Sequence, residues 1–220
     1  MSYFRFAKDI YMDIRPFIDY TLLKPDSIYQ DIDQLFDQAI EMGYYSVCVP
    51  PFFVEHVRKR EGSEQLKIVT VVGFPNGFES YKSKVEEIKE VISDGASEID
   101  AVLNVSAVKS NVWSYVDREI DSLSSICRVK GAKLKLIADH NLLSKDELKR
   151  VIGLCVTHNV DFIKTGTGIF GDTSPEIISF LKAECPPELK IKAAGGIRTV
   201  EQARILLELG ADRLGTSTAL

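Results

Sequence analysis

Charged side chains interrupt several short, β-rich stretches of this sequence, where a folded protein normally places apolar residues. Three of them are lysines, namely Lys135, Lys164 and Lys192, and two are aspartates, Asp19 and Asp100. A lysine amine adds to an aldehyde or ketone only in its neutral form, which burial and a neighbouring cation both favour. The resulting imine is an electron sink, and a nearby carboxylate can then move protons to and from the substrate. These residue types therefore indicate Schiff-base chemistry.

The elements that must position these side chains follow from an alternation of two patterns. Short β-rich stretches predict eight strands, at 17–22, 45–49, 67–73, 97–103, 133–138, 161–165, 189–193 and 212–215. Stretches of helical period predict helices between them, at 28–42, 51–60, 79–94, 112–130, 144–158, 174–184 and 199–209. This alternation favours a parallel sheet, and eight strands favour closure into one α/β domain over 1–220, a (β/α)₈ TIM barrel. An open, doubly wound sheet is the alternative, but no G-x-G-x-x-G follows the first strand. An additional N-terminal helix is predicted over 2–15.

The direction of each strand side chain follows from the alternation of faces along a strand. Between 97 and 103, Ile99, Ala101 and Leu103 form an apolar set that must face the helices, so Asp100 points into the barrel. The same rule turns a further set inward, which comprises Asp19, Thr21, Lys135, Lys164 and Lys192. Structural ion pairs without chemistry are the competing interpretation, and for any single lysine they would be favoured. Several charges in one barrel interior, which branched apolar side chains normally fill, favour a functional site.

Glycines near the end of the sequence indicate a second, anion-binding part of that site. Gly195 and Gly196 follow the seventh predicted strand and precede the helix from Thr199, and Gly215 begins a Gly-Thr-Ser sequence at the end of the eighth. The loops after strands seven and eight are the usual phosphate site of this type of barrel. Glycines allow backbone N–H groups to approach an anion, and a helix N-terminus favours its charge.

The composition excludes several other classes of function. The chain has 220 residues, of which 45% are hydrophobic and 27% charged, as in a typical globular protein. Its net charge of -5 disfavours nucleic-acid binding. We expect no membrane segment and no signal peptide, because no apolar run is long enough to span a bilayer and charges are scattered through the N-terminus. The four cysteines contain no C-x-x-C pair and the three histidines are far apart, so we expect a reduced, cytoplasmic location and no metal site.

Two smaller features have ordinary structural interpretations. Cys48 is expected to be a small buried strand residue rather than a reactive thiol. Lys82, Lys84 and Lys89 alternate with glutamates in the predicted helix 79–94, which is typical of a solvent-exposed helix face.

At its charged strands and glycine loops the chain resembles the deoxyribose-phosphate aldolase family, from about residue 17 to residue 217. The stretches that carry the resemblance are IDYTLLKP (18–25), VCVPP (47–51), VVGFPNG (71–77), GASEIDAVLN (95–104), LKLIADHNLLS (134–144), DFIKTGTG (161–168), KAAGGIRT (192–199) and GADRLGTST (210–218). Each is modest alone, but together and in this order on the predicted strands they are highly specific.

The resemblance implies a (β/α)₈ barrel that reversibly cleaves 2-deoxy-D-ribose 5-phosphate into D-glyceraldehyde 3-phosphate and acetaldehyde, without a metal or organic cofactor. It implies that Lys164 forms the imine, that Lys192 favours the neutral amine of Lys164, and that Asp100 relays protons. The implied substrate contacts are Asp19, Thr21 and Cys48, and Lys135, which points into the same barrel, is expected to join them. The implied phosphate contacts are Gly168, Gly195, Gly196, Arg198, Gly215, Thr216 and Ser217. A homodimer or homotetramer is the family expectation.

The sequence departs from the family pattern at several positions. Gly166 replaces a serine, Asp139 replaces a glutamate, and Ile169 replaces a lysine or an aromatic residue. The chain ends at Leu220, whereas relatives continue into a further helix and some carry a catalytic tyrosine there, so a shortened C-terminus is expected. These departures leave two alternatives: a related Schiff-base aldolase with a different sugar-phosphate substrate, and a degenerate barrel that is not catalytic.

Overall fold

A computed structural model of the chain describes residues 12–220, which form a closed barrel of eight parallel strands in chain order. The strands are β1 (Ile18–Thr21), β2 (Ser46–Val49), β3 (Lys67–Val72), β4 (Glu98–Val102), β5 (Lys133–Ile137), β6 (Phe162–Lys164), β7 (Lys190–Ala194) and β8 (Arg213–Thr216). All eight predicted strands are present, each within two residues of its predicted bounds. The barrel closes where Asp19 of β1 pairs with Gly215 of β8.

Helices connect the strands and surround the barrel. They are α1 (Tyr29–Met42), α2 (Val54–Arg58), α3 (Tyr81–Ser93), α4 (Val105–Lys109), α5 (Trp113–Lys130), α6 (Lys145–Thr157), α7 (Pro175–Glu184) and α8 (Val200–Glu208). The predicted helix 51–60 is divided, because a 3₁₀ turn at Pro51–Phe53 precedes α2. The sequence analysis missed α4, which has five residues and begins where the Asn104 side chain accepts a hydrogen bond from the Ala107 N–H. Most of the predicted N-terminal helix over 2–15 lies outside the described residues.

The predicted alternation of faces along the strands is confirmed. The apolar residues of the outward set, such as Ile99, Leu134 and Ile163, are completely buried in the main hydrophobic core between strands and helices. Tyr20 also points outward, where its hydroxyl donates a hydrogen bond of 2.9 Å to Gln38 of α1. None of the helices in residues 12–220 is long and apolar enough to cross a membrane.

One predicted surface residue is part of a buried ion pair. Lys84 of α3 is completely buried, and its Nζ lies 2.6 Å from Glu119 Oε1 on α5. The same ammonium donates to the backbone carbonyls of Gly77 (2.9 Å) and Val102 (2.7 Å), and Glu119 Oε2 accepts from the Asn104 N–H. The prediction of a solvent-exposed face was wrong for Lys84, because its partners are distant in sequence. The pair ties two helices to the loops that follow β3 and β4.

Replacement of Lys84 by methionine is expected to lower the free energy of unfolding by about 3–5 kcal/mol, because it leaves the Glu119 carboxylate buried without its partner. Urea denaturation checks this value. Lys89→Met is the control, since Lys89 forms an exposed pair with Glu86 on the same helix and should change stability by less than about 1 kcal/mol. The double variant K84M/E119L should recover most of the loss; a double variant as unstable as K84M would contradict the assignment.

Candidate active site

The predicted Schiff-base residues meet around one carboxylate inside the barrel. Lys164 Nζ from β6 and Lys192 Nζ from β7 each lie 2.7 Å from Asp100 Oδ2 on β4. Lys192 and Asp100 are completely buried, whereas Lys164 is 4% exposed and lines an open cleft at the carboxyl ends of the strands. Lys164 can therefore contact a molecule in the cleft, while Lys192 and Asp100 lie beneath it in the barrel interior.

A larger ionic network continues toward the other end of the barrel. Lys135 Nζ lies 2.9 Å from Asp100 Oδ1 and 2.7 Å from Glu98 Oε2. Lys192 also donates to Asp19, which is completely buried and accepts a 2.6 Å hydrogen bond from the Ser46 hydroxyl. The side chains of Asp19 and Lys135, predicted as substrate contacts, thus contact charged groups of the interior.

Two members of this network, Glu98 and Arg213, were missed by the sequence analysis. Arg213 Nη1 lies 2.9 Å from Asp19 Oδ1 and 3.3 Å from Glu98 Oε2. Alternation of faces puts Glu98 on the inward face with Asp100, two residues later on the same strand, although Glu98 was not among the predicted site residues. Arg213 had a weaker signal, since it is the first residue of a short strand and its partners, Asp19 on β1 and Glu98 on β4, are distant in sequence. We call these seven side chains the ionic network: Asp19, Glu98, Asp100, Lys135, Lys164, Lys192 and Arg213.

Mutual attraction keeps the buried members of the ionic network charged. Burial by itself would raise the pKa of the Asp100 carboxyl, but Lys135, Lys164 and Lys192 outweigh that effect and hold the pKa well below its usual value. The pKa of Asp19 is lowered in the same way, mainly by Lys192. Conversely, burial would lower the pKa of Lys192, but the adjacent Asp100 and Asp19 carboxylates raise it well above its usual value. A permanent cation therefore lies beside Lys164.

All seven predicted phosphate contacts line the same cleft as Lys164. The cleft has a volume of about 390 Å³, and the predicted residues along it are Thr21, Lys164, Gly168, Gly195, Gly196, Arg198, Gly215, Thr216 and Ser217. Gly195 has a φ of 102°, and a Cβ there would lie 3.1 Å from the Gly171 carbonyl oxygen and 3.2 Å from Gly168 Cα. Only glycine fits this close approach of two loops. The Thr216 hydroxyl at the end of β8 donates to the Ile197 carbonyl (2.8 Å), which joins β8 to the loop after β7.

An aspartate that the sequence analysis did not identify lies at the glycine-rich end of the cleft. Asp172 lines the cleft, and its carboxylate packs so closely on Gly196 that a Cβ there would lie 2.2 Å from Asp172 Cγ. Arg198 Nη1 is 3.4 Å from Asp172 Oδ2, and both side chains are more than half exposed. The cation predicted to hold a phosphate is thus paired with a carboxylate in this structure.

Two departures from the family pattern, Asp139 and Gly166, are neighbours in the structure. Asp139 Oδ1 accepts hydrogen bonds from the Thr167 N–H (2.7 Å) and the Thr167 hydroxyl (3.0 Å). A Cβ at Gly166 would lie 2.9 Å from that same oxygen. Glycine at 166 therefore leaves room for the aspartate, which holds the loop immediately after Lys164. The third departure, Ile169, lies at the rim of the cleft and is 62% exposed.

Cys48 lies deep inside the barrel. It is completely buried in a small apolar cluster with Val69 and Val71. Burial raises the pKa of its thiol to about 11, so the thiol is protonated at neutral pH and a poor nucleophile. This agrees with the expectation of a small buried strand residue. Within residues 12–220 no group of three or more histidine, cysteine or acidic side chains has an arrangement that could hold a metal ion.

Comparison with known proteins agrees with this geometry. Residues 10–219 match the sequence model of the "DeoC/LacD family aldolase". The chain is 39% identical over 212 residues to the deoxyribose-phosphate aldolase of Thermococcus gammatolerans, covering 95% of this chain and 94% of the relative. It is 37% identical over 209 residues to that of Clostridium botulinum strain Alaska E43, covering 94% of this chain and 93% of the relative.

Solved structures agree as well. The aldolase QR15 superposes with a TM-score of 0.88 at 35% identity, covering 94% of this chain and 92% of that one. The deoxyribose phosphate aldolase from Aeropyrum pernix, described as a unique tetramer, superposes with a TM-score of 0.86 at 27% identity, covering 93% and 86%. From the match over nearly its full length, we conclude that this chain belongs to the DeoC/LacD family of aldolases.

Proposed function

We propose that the protein is a class I aldolase that reversibly cleaves 2-deoxy-D-ribose 5-phosphate into D-glyceraldehyde 3-phosphate and acetaldehyde. The observation that carries this proposal is the position of Lys164 Nζ, which lies 2.7 Å from Asp100 and lines a cleft that is also lined by glycine-rich loops. This arrangement supports binding of the substrate aldehyde at the amine and of its phosphate at the loops. The names of the relatives support the choice of sugar.

In this mechanism Lys164 attacks C1 of the open-chain sugar as a neutral amine, and loss of water gives a protonated imine. Removal of the proton from the C3 hydroxyl then breaks the C2–C3 bond, which releases D-glyceraldehyde 3-phosphate and leaves an enamine on Lys164. Protonation of the enamine at C2 and hydrolysis release acetaldehyde. Asp100, which is ionised and contacts both lysines, is the group that we propose moves these protons. Lys192 remains charged and thereby favours the neutral form of its neighbour.

The phosphate is proposed to bind at the glycine-rich end of the cleft. Gly168, Gly195 and Gly196 bring their backbone close to the cleft without a side chain, and α8 starts at Val200 just beyond them. Backbone N–H groups and the N-terminus of a helix are a common phosphate site. Arg198 would add a positive charge once it exchanges Asp172 for the phosphate.

The pairing of Arg198 with Asp172 leads to a testable result. Replacement of Asp172 by asparagine is expected to lower the KM for deoxyribose 5-phosphate by about two- to fivefold, because a carboxylate no longer competes with the phosphate for an exposed arginine. The KM for unphosphorylated deoxyribose should not change, and this substrate is the control. Steady-state kinetics with both sugars check the result. An equal change in the two KM values would mean that Asp172 does not act on the phosphate.

The experiment that tests the function has two parts. The protein is incubated with acetaldehyde, reduced with borohydride and weighed by mass spectrometry, with peptide mapping to locate the adduct. Deoxyribose 5-phosphate cleavage is then followed by a coupled assay for glyceraldehyde 3-phosphate. Absence of an adduct on Lys164 would leave a non-catalytic barrel as the better interpretation. An adduct without cleavage of this sugar, together with cleavage of other sugar phosphates, would favour a related Schiff-base aldolase.

We further propose that the protein acts in the cytoplasm as a homo-oligomer. The four cysteines are all free thiols, which supports a reducing compartment. The tetramer described for the Aeropyrum pernix relative supports self-association. Sedimentation analysis of the purified chain at several concentrations tests the second point, and a monomer at all of them would contradict it.

A further inference from the structure

Two charged side chains of the ionic network have no part in the mechanism above. Arg213 is 6% exposed and Glu98 is 2% exposed, and neither lines the cleft described around Lys164. Both are held firmly in place. The Arg213 guanidinium carbon lies 3.5 Å from the centre of the Tyr45 ring, and the Tyr45 hydroxyl donates a 2.8 Å hydrogen bond to Glu98 Oε1. Burying two charged groups is costly, and it calls for a reason beyond packing.

Each of the two side chains is connected to Lys164 by a chain of successive ion pairs. Glu98 contacts Lys135, which contacts Asp100. Arg213 contacts Asp19, which accepts from Lys192, and Lys192 again contacts Asp100. Asp100 is the carboxylate to which Lys164 donates. In an interior of low dielectric constant, the charges at the start of these two chains act on the group at their end with little screening.

The ionic network is electrically balanced without Lys164. Apart from this lysine it contains three carboxylates, Asp19, Glu98 and Asp100, and three cations, Lys135, Lys192 and Arg213. The pKa values of the three acids are lowered and those of the three cations are raised, in each case because opposite charges outweigh burial, so all six stay charged around neutral pH. Lys164 is thus the member whose protonation decides between a neutral network and a positive one.

Other ionisable groups near Lys164 are the same in every protein compared below, so they do not contribute to a difference between variants. From β2, Cys48 is a neutral thiol. Just after β5, Asp139 is a further carboxyl group whose pKa is raised by burial and whose Oδ1 accepts from Thr167, and burial lowers the pKa of the adjacent His140. β3 contributes the apolar residues Val69 and Val71. The remaining charged groups are at the open cleft, where solvent screens them: Lys24, Asp172 and Arg198.

We propose that Arg213 and Glu98 are positioning residues that set the charge around the Schiff-base lysine. This inference rests on the proposed function, because it concerns the amine that forms the imine. Arg213 offsets one interior carboxylate and thereby prevents an excess of negative charge that would hold Lys164 in its protonated, unreactive form. Glu98 limits the opposite excess, which would weaken the contacts that keep the lysines on Asp100. The two charges act in opposite directions on the same step.

The test compares the pH dependence of imine formation in four proteins: wild type, R213M, E98Q and R213M/E98Q. The initial rate of adduct formation with acetaldehyde, trapped by cyanoborohydride and measured by mass spectrometry, should rise with pH, because only a neutral amine adds to the aldehyde. Loss of the Arg213 charge leaves the network negative, so the midpoint of this rise should move to higher pH by about one unit. Loss of the Glu98 charge leaves it positive, so the midpoint should move to lower pH by a similar amount. The double variant should lie close to wild type.

Two controls separate this effect from a structural one. Tyr45→Phe removes a hydrogen bond to Glu98 but no charge at neutral pH, and Lys89→Met removes a charge from the exposed face of α3; neither should move the midpoint. Midpoints that move in the same direction in both single variants, or that do not move, would overturn the inference. If R213M does not fold, E98Q alone must lower the midpoint and R213K must leave it unchanged. An adduct in wild type with unmoved profiles refutes only this inference, whereas absence of any adduct in wild type refutes the proposed function.

Discussion

Replacement of Lys164 by leucine is expected to abolish both the borohydride-trapped adduct and the cleavage of deoxyribose 5-phosphate, with a loss of turnover of at least about 10⁴-fold. No other lysine combines a 2.7 Å contact with Asp100 and a place in the cleft among the residues described from 12 to 220. The fold should survive the change, because the six remaining charges of the ionic network balance one another. Mass spectrometry, a coupled assay and thermal denaturation measure the three quantities.

The matched control for this variant is Lys190→Leu. Lys190 lies on β7, is exposed, and stands two residues before Lys192. The Lys190→Leu variant should form the adduct on Lys164 and cleave the substrate at the wild-type rate. Retained turnover in Lys164→Leu would mean that the nucleophile is another residue, and a shift of the adduct to a different peptide would identify it.

Replacement of Asp100 by asparagine is expected to reduce turnover by about 10²–10⁴-fold, because the amide has the shape of the carboxylate but cannot carry the proton. The proton-transfer steps should be slowed, whereas imine formation should not. We therefore expect the exchange of acetaldehyde methyl hydrogens with D₂O, followed by NMR, to decrease by this factor. The trapped adduct should still form on Lys164. Exchange at the wild-type rate would show that another group moves the proton.

Stability must be separated from chemistry in this variant, because Asp100 contacts three lysines. D100N leaves the ionic network with an excess of positive charge, whereas D100N/K135M removes a cation together with the anion. If D100N unfolds, the double variant should fold and show the same loss of exchange. The stability of both proteins is measured by urea denaturation.

The fold could be predicted from the sequence because the two faces of a barrel strand have different chemistry. Ile99 and Ala101 must contact helices, so Asp100 between them had to point inward, and the same logic located every lysine of the site. The exact ends of the strands depend on hydrogen bonds to neighbouring strands, which explains the differences of one residue from the predicted bounds. A five-residue helix such as α4 contains too little periodic pattern to be detected.

The pairing of the charges could not be predicted in the same way. Alternation indicates that a side chain faces inward, but it does not give its height along the barrel, which depends on the stagger of all eight strands. The pairing of Arg213 with Asp19 therefore follows only from the closed barrel, in which β8 lies beside β1. Lys84 shows the same limit on a helix, since its neighbours in sequence are glutamates and its real partner, Glu119, lies 35 residues away. Asp172 is in a loop, where no periodicity fixes the direction of a side chain.

The closure of the barrel between β1 and β8 has a consequence for the way the chain folds. Asp19 and Arg213 are 194 residues apart, and Asp19 and Lys192 are 173 apart, so their contacts form only when the first and last parts of the chain come together. Before closure the charges remain hydrated, and losing that hydration becomes part of the final barrier. Contacts of such high sequence separation also form slowly. Native structure and a competent amine should therefore arise in one cooperative step, and a partly folded chain should have no partial activity.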